Sequence, residues 1–150
     1  MNKATILVLG IACALAAGIQ GAEPTTEQTI VSTSPDGTQS ISILDKQGSP
    51  KETKNLKADG SLRSRIVYER DGTGKVLKAT TYDADGKLHH SDAYAYDFQS
   101  RVISVSRTTA AGWVLTCQKQ YDSRGDEAGT RCIGHDGREI TAAEWDKAAD

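Results

Sequence analysis

Bulky side chains are scarce in this sequence. Phe98 is the only phenylalanine, Met1 the only methionine, and aromatic residues make up 5% of the chain. A thick core of large side chains is thereby excluded, and any core must be thin and mostly aliphatic. Neither charge sign dominates, since 18 basic and 20 acidic residues leave a net charge of -2. That balance leaves no electrostatic footprint for nucleic acid or for an anionic membrane. Long apolar runs are missing outside residues 6–19, and that run falls short of the roughly 20 apolar residues a membrane-spanning helix needs. Nucleotide-binding glycine loops, serine-nucleophile elbows and zinc-ligand spacings are absent too. No cofactor is expected on these grounds.

The N-terminus has the features of a targeting segment. Lys3 supplies a short positive start, residues 6–19 are rich in Ala, Leu and Ile, and Gln20-Gly21-Ala22 precedes Glu23-Pro24. The expectation is a signal peptide over residues 1–22, cleaved after Ala22. A flexible start over 23–28 and one β domain over 29–150 would follow, exported to the periplasm or the medium with no membrane span left. Cys13 opens an alternative, a lipoprotein signal, but Gly10 stands where such signals carry Leu or a similar residue.

With Cys13 removed, Cys117 and Cys132 remain, and two cysteines in an exported protein read as one disulfide. Their midpoint falls in Tyr121-Asp122-Ser123-Arg124-Gly125-Asp126-Glu127, so a hairpin there would set them face to face. A strict two-residue turn at Arg124-Gly125 would place them at a wide, hydrogen-bonded pair; a bulge or a longer turn would change that register.

Turn residues recur along the whole mature chain. Gly37, Gly48, Gly60, Gly74, Gly86, Ser100, Gly112, Gly125 and Gly137 follow one another at steps of 11 to 14 residues. That spacing equals one strand plus one turn. Strands are expected over 29–34, 39–45, 51–58, 62–69, 76–82, 88–96, 102–108, 113–121 and 128–134. Successive strands should be antiparallel neighbours, giving an all-β antiparallel meander, either a curved sheet or one folded on itself. The end differs: Thr141-Ala142-Ala143-Glu144 fits a capping box. It predicts a short helix over 142–149 that must dock through Trp145, being too short to stand alone.

Tyr68, Tyr82 and Tyr96 recur at intervals of 14 residues, each followed by an acid. Alternate strands run opposite ways, so Tyr68, Tyr96 and Tyr121 fall near one rim and Tyr82 and His135 near the other. Their rings are expected to pack over turns and sheet faces; an aromatic platform for sugar stacking is the functional alternative. The stretch Tyr94-Ala95-Tyr96-Asp97-Phe98-Gln99-Ser100-Arg101-Val102 resembles a YD repeat of the Rhs type, whose pattern is Y-x-Y-D-x-x-G-R-L/V. Tyr82-Asp83-Ala84-Asp85-Gly86-Lys87-Leu88 is similar, and Tyr121-Asp122-Ser123-Arg124-Gly125 is a third copy with Asp126 where a basic residue belongs. The resemblance spans about half of the mature chain. It implies β-hairpins in an envelope or secreted setting, and no catalytic residue.

Chemistry-bearing residues are few. His89 and His90 sit side by side on an expected strand and should point to opposite faces. His90 and Asp92 share a face, as a metal or acid/base pair would. Asp83 and Asp85 echo part of a calcium loop with Asp92 at its end, but Thr81 occupies the first ligand position. The expected function is a non-catalytic interaction module binding an envelope protein or a glycan. A small hydrolase using His90 and Asp92 is one alternative, and a structural or inhibitory protein acting by edge-strand pairing is the other.

Overall fold

A computed structural model describes residues 6–9 and 28–148. The expected cleavage point, Cys13 and residues 23–27 lie outside the described residues. The protein is an antiparallel β-meander with one short helix near its C-terminus. The chain divides into two compact units, Met1–Arg65 and Ile66–Asp150.

In the first unit, β1 (Ile6–Leu9), β2 (Thr29–Thr33), β3 (Gln39–Leu44) and β4 (Pro50–Leu56) lie side by side in chain order, each antiparallel to the next. The short strand β1 falls within the run read as a targeting segment. Small polar side chains link β3, β4 and the start of β5 (Leu62–Arg70) across one face. Ser42 and Thr53 hydroxyls meet at 3.0 Å, Ser40 Oγ donates to Asn55 Oδ1 at 3.2 Å, and Asn55 Nδ2 donates to Ser64 Oγ at 3.1 Å.

The second unit continues from β5 through β6 (Val76–Asp83), β7 (Leu88–Tyr96), β8 (Val102–Thr109), β9 (Val114–Tyr121), β10 (Glu127–Ile133) and β11 (Glu139–Ile140). The helix α1 spans Ala142–Lys147. The sequence pattern had no place for β11, which is two residues long and pairs only with Cys132 and Ile133. Thr141 caps α1 as expected: its hydroxyl accepts from the Glu144 backbone N–H, and the Glu144 carboxylate accepts from the Thr141 N–H. The two faces of this sheet differ. Asp92, Arg107 and Leu115 align across β7, β8 and β9, and Tyr94, Val105, Cys117 and Cys132 align across β7 to β10. The opposite face is polar and small, with Thr80 beside Ser91 and Ser106 beside Thr116.

One turn design recurs through the described residues. In each of nine turns the fourth residue donates its N–H to the first residue's carbonyl, and the first donates to the fifth. That is a three-residue loop, a type I turn closed by a left-handed residue. Among the described residues the left-handed positions are the nine turn positions foreseen in the sequence, eight of them Gly, with Ser100 at φ 68°. Asp side chains hold these loops by local hydrogen bonding: Asp71, Asp83, Asp97 and Asp122 each accept from backbone N–H groups two and four residues on.

The same design decides the cysteine register. Asp122 sits opposite Asp126 across a loop of Ser123, Arg124 and Gly125, not across a two-residue turn. Counting back from that pair, Cys117 would face Arg131. An extra residue, Ala128, bulges between the pairs Tyr121–Glu127 and Gln120–Gly129 and moves Cys132 opposite Cys117. The disulfide forms there with its Cα atoms 4.0 Å apart, the closer kind of cross-strand pair.

Candidate functional site

A recess lies in the second unit, where α1 crosses the sheet. It encloses about 360 Å³ and is lined by Tyr94, Val105, the disulfide, Lys119, Thr130 and the α1 residues Ala142, Trp145 and Asp146, with Asp92 and Arg107 at one end. The volume is near the lower end of the range of about 300–1,000 Å³ typical of ligand sites. Its floor is the row Tyr94–Val105–Cys117–Cys132, and α1 forms one wall. The floor is apolar because period-two alternation sends these residues to one face.

Arg107 organises the end of the recess. Its Nε and Nη2 donate to Asp92 Oδ1 and Oδ2 at 2.8 and 2.9 Å, and its Nη1 donates to the Trp145 carbonyl at 3.2 Å. The guanidinium also lies 4.7 Å from the Trp145 ring, a cation–π contact that docks α1. Trp145 is thus the docking group, as the sequence suggested, and Arg107 is what it docks on. Arg107 escaped the sequence reading because an arginine between serine and threonine looks solvated. The available signal was its two-residue spacing from Val105, which puts it on the apolar face.

Both oxygens of Asp92 are held by Arg107, and His90 Nε2 stands 3.8 Å from Asp92 Oδ2, beyond hydrogen-bond reach. Burial, then the Arg107 guanidinium, push the His90 imidazole below its ordinary pKa, against the pull of Asp92. Burial pushes the Tyr94 phenol up, with Asp92 adding to it. His135 does not join this group: it stacks on Trp113 with ring centroids 4.4 Å apart.

The expected divergence of His89 and His90 is corrected by a bulge. Thr81 pairs with His90 and Tyr82 with Leu88, so His89 is an extra residue in β7. The bulge breaks the alternation and turns both imidazoles together, with their Nδ1 atoms 2.8 Å apart.

The rim tyrosines are tied into the sheet. Tyr96 and Tyr121 donate their hydroxyls to the Val76 and Val102 carbonyls, both at 2.8 Å. Lys75 lies 5.5 Å from the Tyr96 ring, Arg101 lies 4.4 Å from the Tyr121 ring, and Arg70 lies 5.8 Å from the Tyr68 ring. Asp83 serves the loop after β6, and Asp85 is exposed. Among the described residues no group of three or more His, Cys, Asp or Glu side chains gathers as a metal cluster would, and no helix is long and apolar enough to cross a membrane. No protein-family model matches the chain, and no curated protein matches it in sequence.

Proposed function

We propose that the protein is a non-catalytic, exported interaction module, and that the recess between α1 and the sheet is where it takes hold of an envelope protein or a glycan. The observation that carries this reading is the recess itself, an apolar floor flanked by polar groups. Such a combination provides both burial and orientation for a bound group. The acid/base alternative is weaker because Asp92 is committed to Arg107 through two hydrogen bonds. Edge-strand pairing finds little support at β10. The stretch of β10 that β11 leaves uncovered carries the Ala128 bulge and the charged side chains Glu127 and Arg131, paired with Lys119 of β9 and Glu139 of β11, devices that discourage strand addition. Export rests on the N-terminal targeting pattern, and the resemblance to YD repeats supports an envelope or secreted setting.

The test is a comparison of the chain with a Thr130→Trp variant, both immobilised and exposed to envelope proteins and to purified wall glycan. Thr130 is exposed at the rim of the recess, so the indole would fill it without disturbing the fold. Saturable retention by the parent chain and its loss in the variant is the expected result. Equal retention by both, or none by either, would overturn the assignment.

A further inference from the structure

We infer that β2 is the edge through which two copies of this chain pair once the N-terminal segment is removed, in an antiparallel dimer with its two-fold axis at Val31. The inference rests on the export reading for the loss of residues 1–22, and it is independent of the recess beneath α1. Backbone parity decides which groups the edge offers. The Leu44 N–H donates to the Gln28 carbonyl at 2.8 Å, and the Ser34 N–H donates to the Thr38 carbonyl at 2.9 Å. Between those ends β2 and β3 pair residue for residue without a bulge. Antiparallel bonds alternate, so Ile30 and Ser32 turn their backbone groups towards β3, while Thr29, Val31 and Thr33 turn theirs away. In the uncut chain β1 takes up that side, with Leu7 opposite Val31 and Leu9 opposite Thr29. Since β1 lies within the run read as a targeting segment, cleavage after Ala22 strips this side of β2 bare.

The bared edge has none of the usual protection. Residues 28–34 contain no charged residue and no proline, in contrast with the bulged and charged stretch of β10. An unprotected edge rich in β-branched residues is a template for another strand. The occupant that fits is β2 of a second copy, because the strand is self-complementary. Antiparallel pairing centred on Val31 sets Thr29 against Thr33, and Ile30 against Ser32, of the second copy. Every outward-turned residue then meets an outward-turned residue, as a hydrogen-bonded ladder requires. A register shifted by one residue sets outward-turned groups against inward-turned ones, and a shift of two shortens the ladder. The side chains agree with this register. Val31 stands beside Ile41 across β2 and β3, so that apolar row runs on through Val31 and Ile41 of the second copy. A ladder over the five residues of β2 is a small interface, so association is of the weak, concentration-dependent kind.

The experiment uses the full chain carrying Cys13→Ser and a protease site inserted after Ala22, followed by sedimentation velocity over a range of concentrations. The uncut chain should stay monomeric because β1 fills the edge, and the cut chain should become a dimer as concentration rises. Val31→Pro removes the central outward N–H and leaves the bonds to β3 intact, so it should weaken dimerisation of the cut chain by more than about tenfold. Thr130→Trp, at the recess, should leave dimerisation unchanged. On mild oxidation of the cut chain, Val31→Cys should cross-link copy to copy, since a hydrogen-bonded pair holds its Cα atoms about 5.5 Å apart. Thr33→Cys should not, because the same register holds the two copies of that residue about 14 Å apart. Circular dichroism checks that the cut chain keeps its strands; if it does not, Leu7→Pro with Leu9→Pro opens the same edge in the uncut chain and takes its place. A monomer at every concentration would overturn the assignment, as would a dimer indifferent to Val31→Pro or cross-linking through Thr33→Cys as readily as through Val31→Cys. The export reading fails separately: a chain recovered from its own cell with residues 1–22 still attached would overturn removal of the strand, however the cut chain sediments.

Discussion

Ser100 offers the most direct test of how this meander is built. It occupies the closing position of the loop after β7 at φ 68°, where eight other loops place glycine at φ 78–89°. A left-handed backbone costs a residue with a Cβ about 1–2 kcal/mol. Replacing it by glycine relieves that cost but frees the unfolded chain, which takes back about 0.4–1 kcal/mol. Ser100→Gly should therefore stabilise the protein by about 0.5–1 kcal/mol. For a unit the size of Ile66–Asp150 that corresponds to a rise in Tm of about 2–8 °C. The Ser100 side chain is exposed, and the loop bond from its N–H to the Asp97 carbonyl at 3.0 Å is a backbone bond that glycine keeps. Gly86→Ser is the mirror experiment: that glycine sits at φ 79° with no atom within 4 Å of an added Cβ. It should cost a similar amount, with no clash against the rest of the protein adding to it. Thermal and urea melts followed by far-UV circular dichroism, with the disulfide intact, measure both. If Ser100→Gly is neutral or destabilising while Gly86→Ser is harmless, then left-handed geometry is not what the recurring glycines supply.

The other expectations concern the second unit. Arg107→Met leaves the buried Asp92 carboxylate without its partner and should cost about 3–5 kcal/mol, whereas the double variant Asp92→Leu with Arg107→Met should recover much of that loss in a denaturant melt. Replacing Cys117 and Cys132 together by Ala should lower stability by about 3 kcal/mol through loss of the loop constraint, with no further fall on adding reductant. Glu144 is held at a pKa of about 2 by the Thr141 N–H, by Arg138 and by the Thr141 hydroxyl. Since its folded pKa lies below its unfolded value, the support it gives α1 is complete above pH 4.5 and is lost as pH falls towards 2. Trp145 fluorescence in a Trp113→Tyr background should report undocking of α1 over that range, and Glu144→Gln should remove the pH dependence.

Much of the architecture was legible because it depends on short-range chemistry. A glycine after a polar triplet, repeated at steps of 11 to 14, names each loop, and alternation between loops names each strand. The capping box at Thr141 and Glu144 is equally local, since all its partners lie within one turn of helix. The histidine pair and the cysteine register were harder to read. Each depends on one extra residue, His89 in β7 and Ala128 in β10, and nothing in the residue types marks where a strand will take up an extra residue. A single such insertion exchanges the faces of everything beyond it.

By itself the sequence determined the antiparallel meander, the positions of its loops and the helix cap, because each follows from contacts between residues close in the chain or joined by one hairpin. Tertiary structure alone decided that Arg107 would claim both oxygens of Asp92 and carry Trp145, and that His89 would turn towards His90. Those outcomes depend on which residues stand opposite one another across several strands and beneath the helix, where a shift of one position in register replaces every partner.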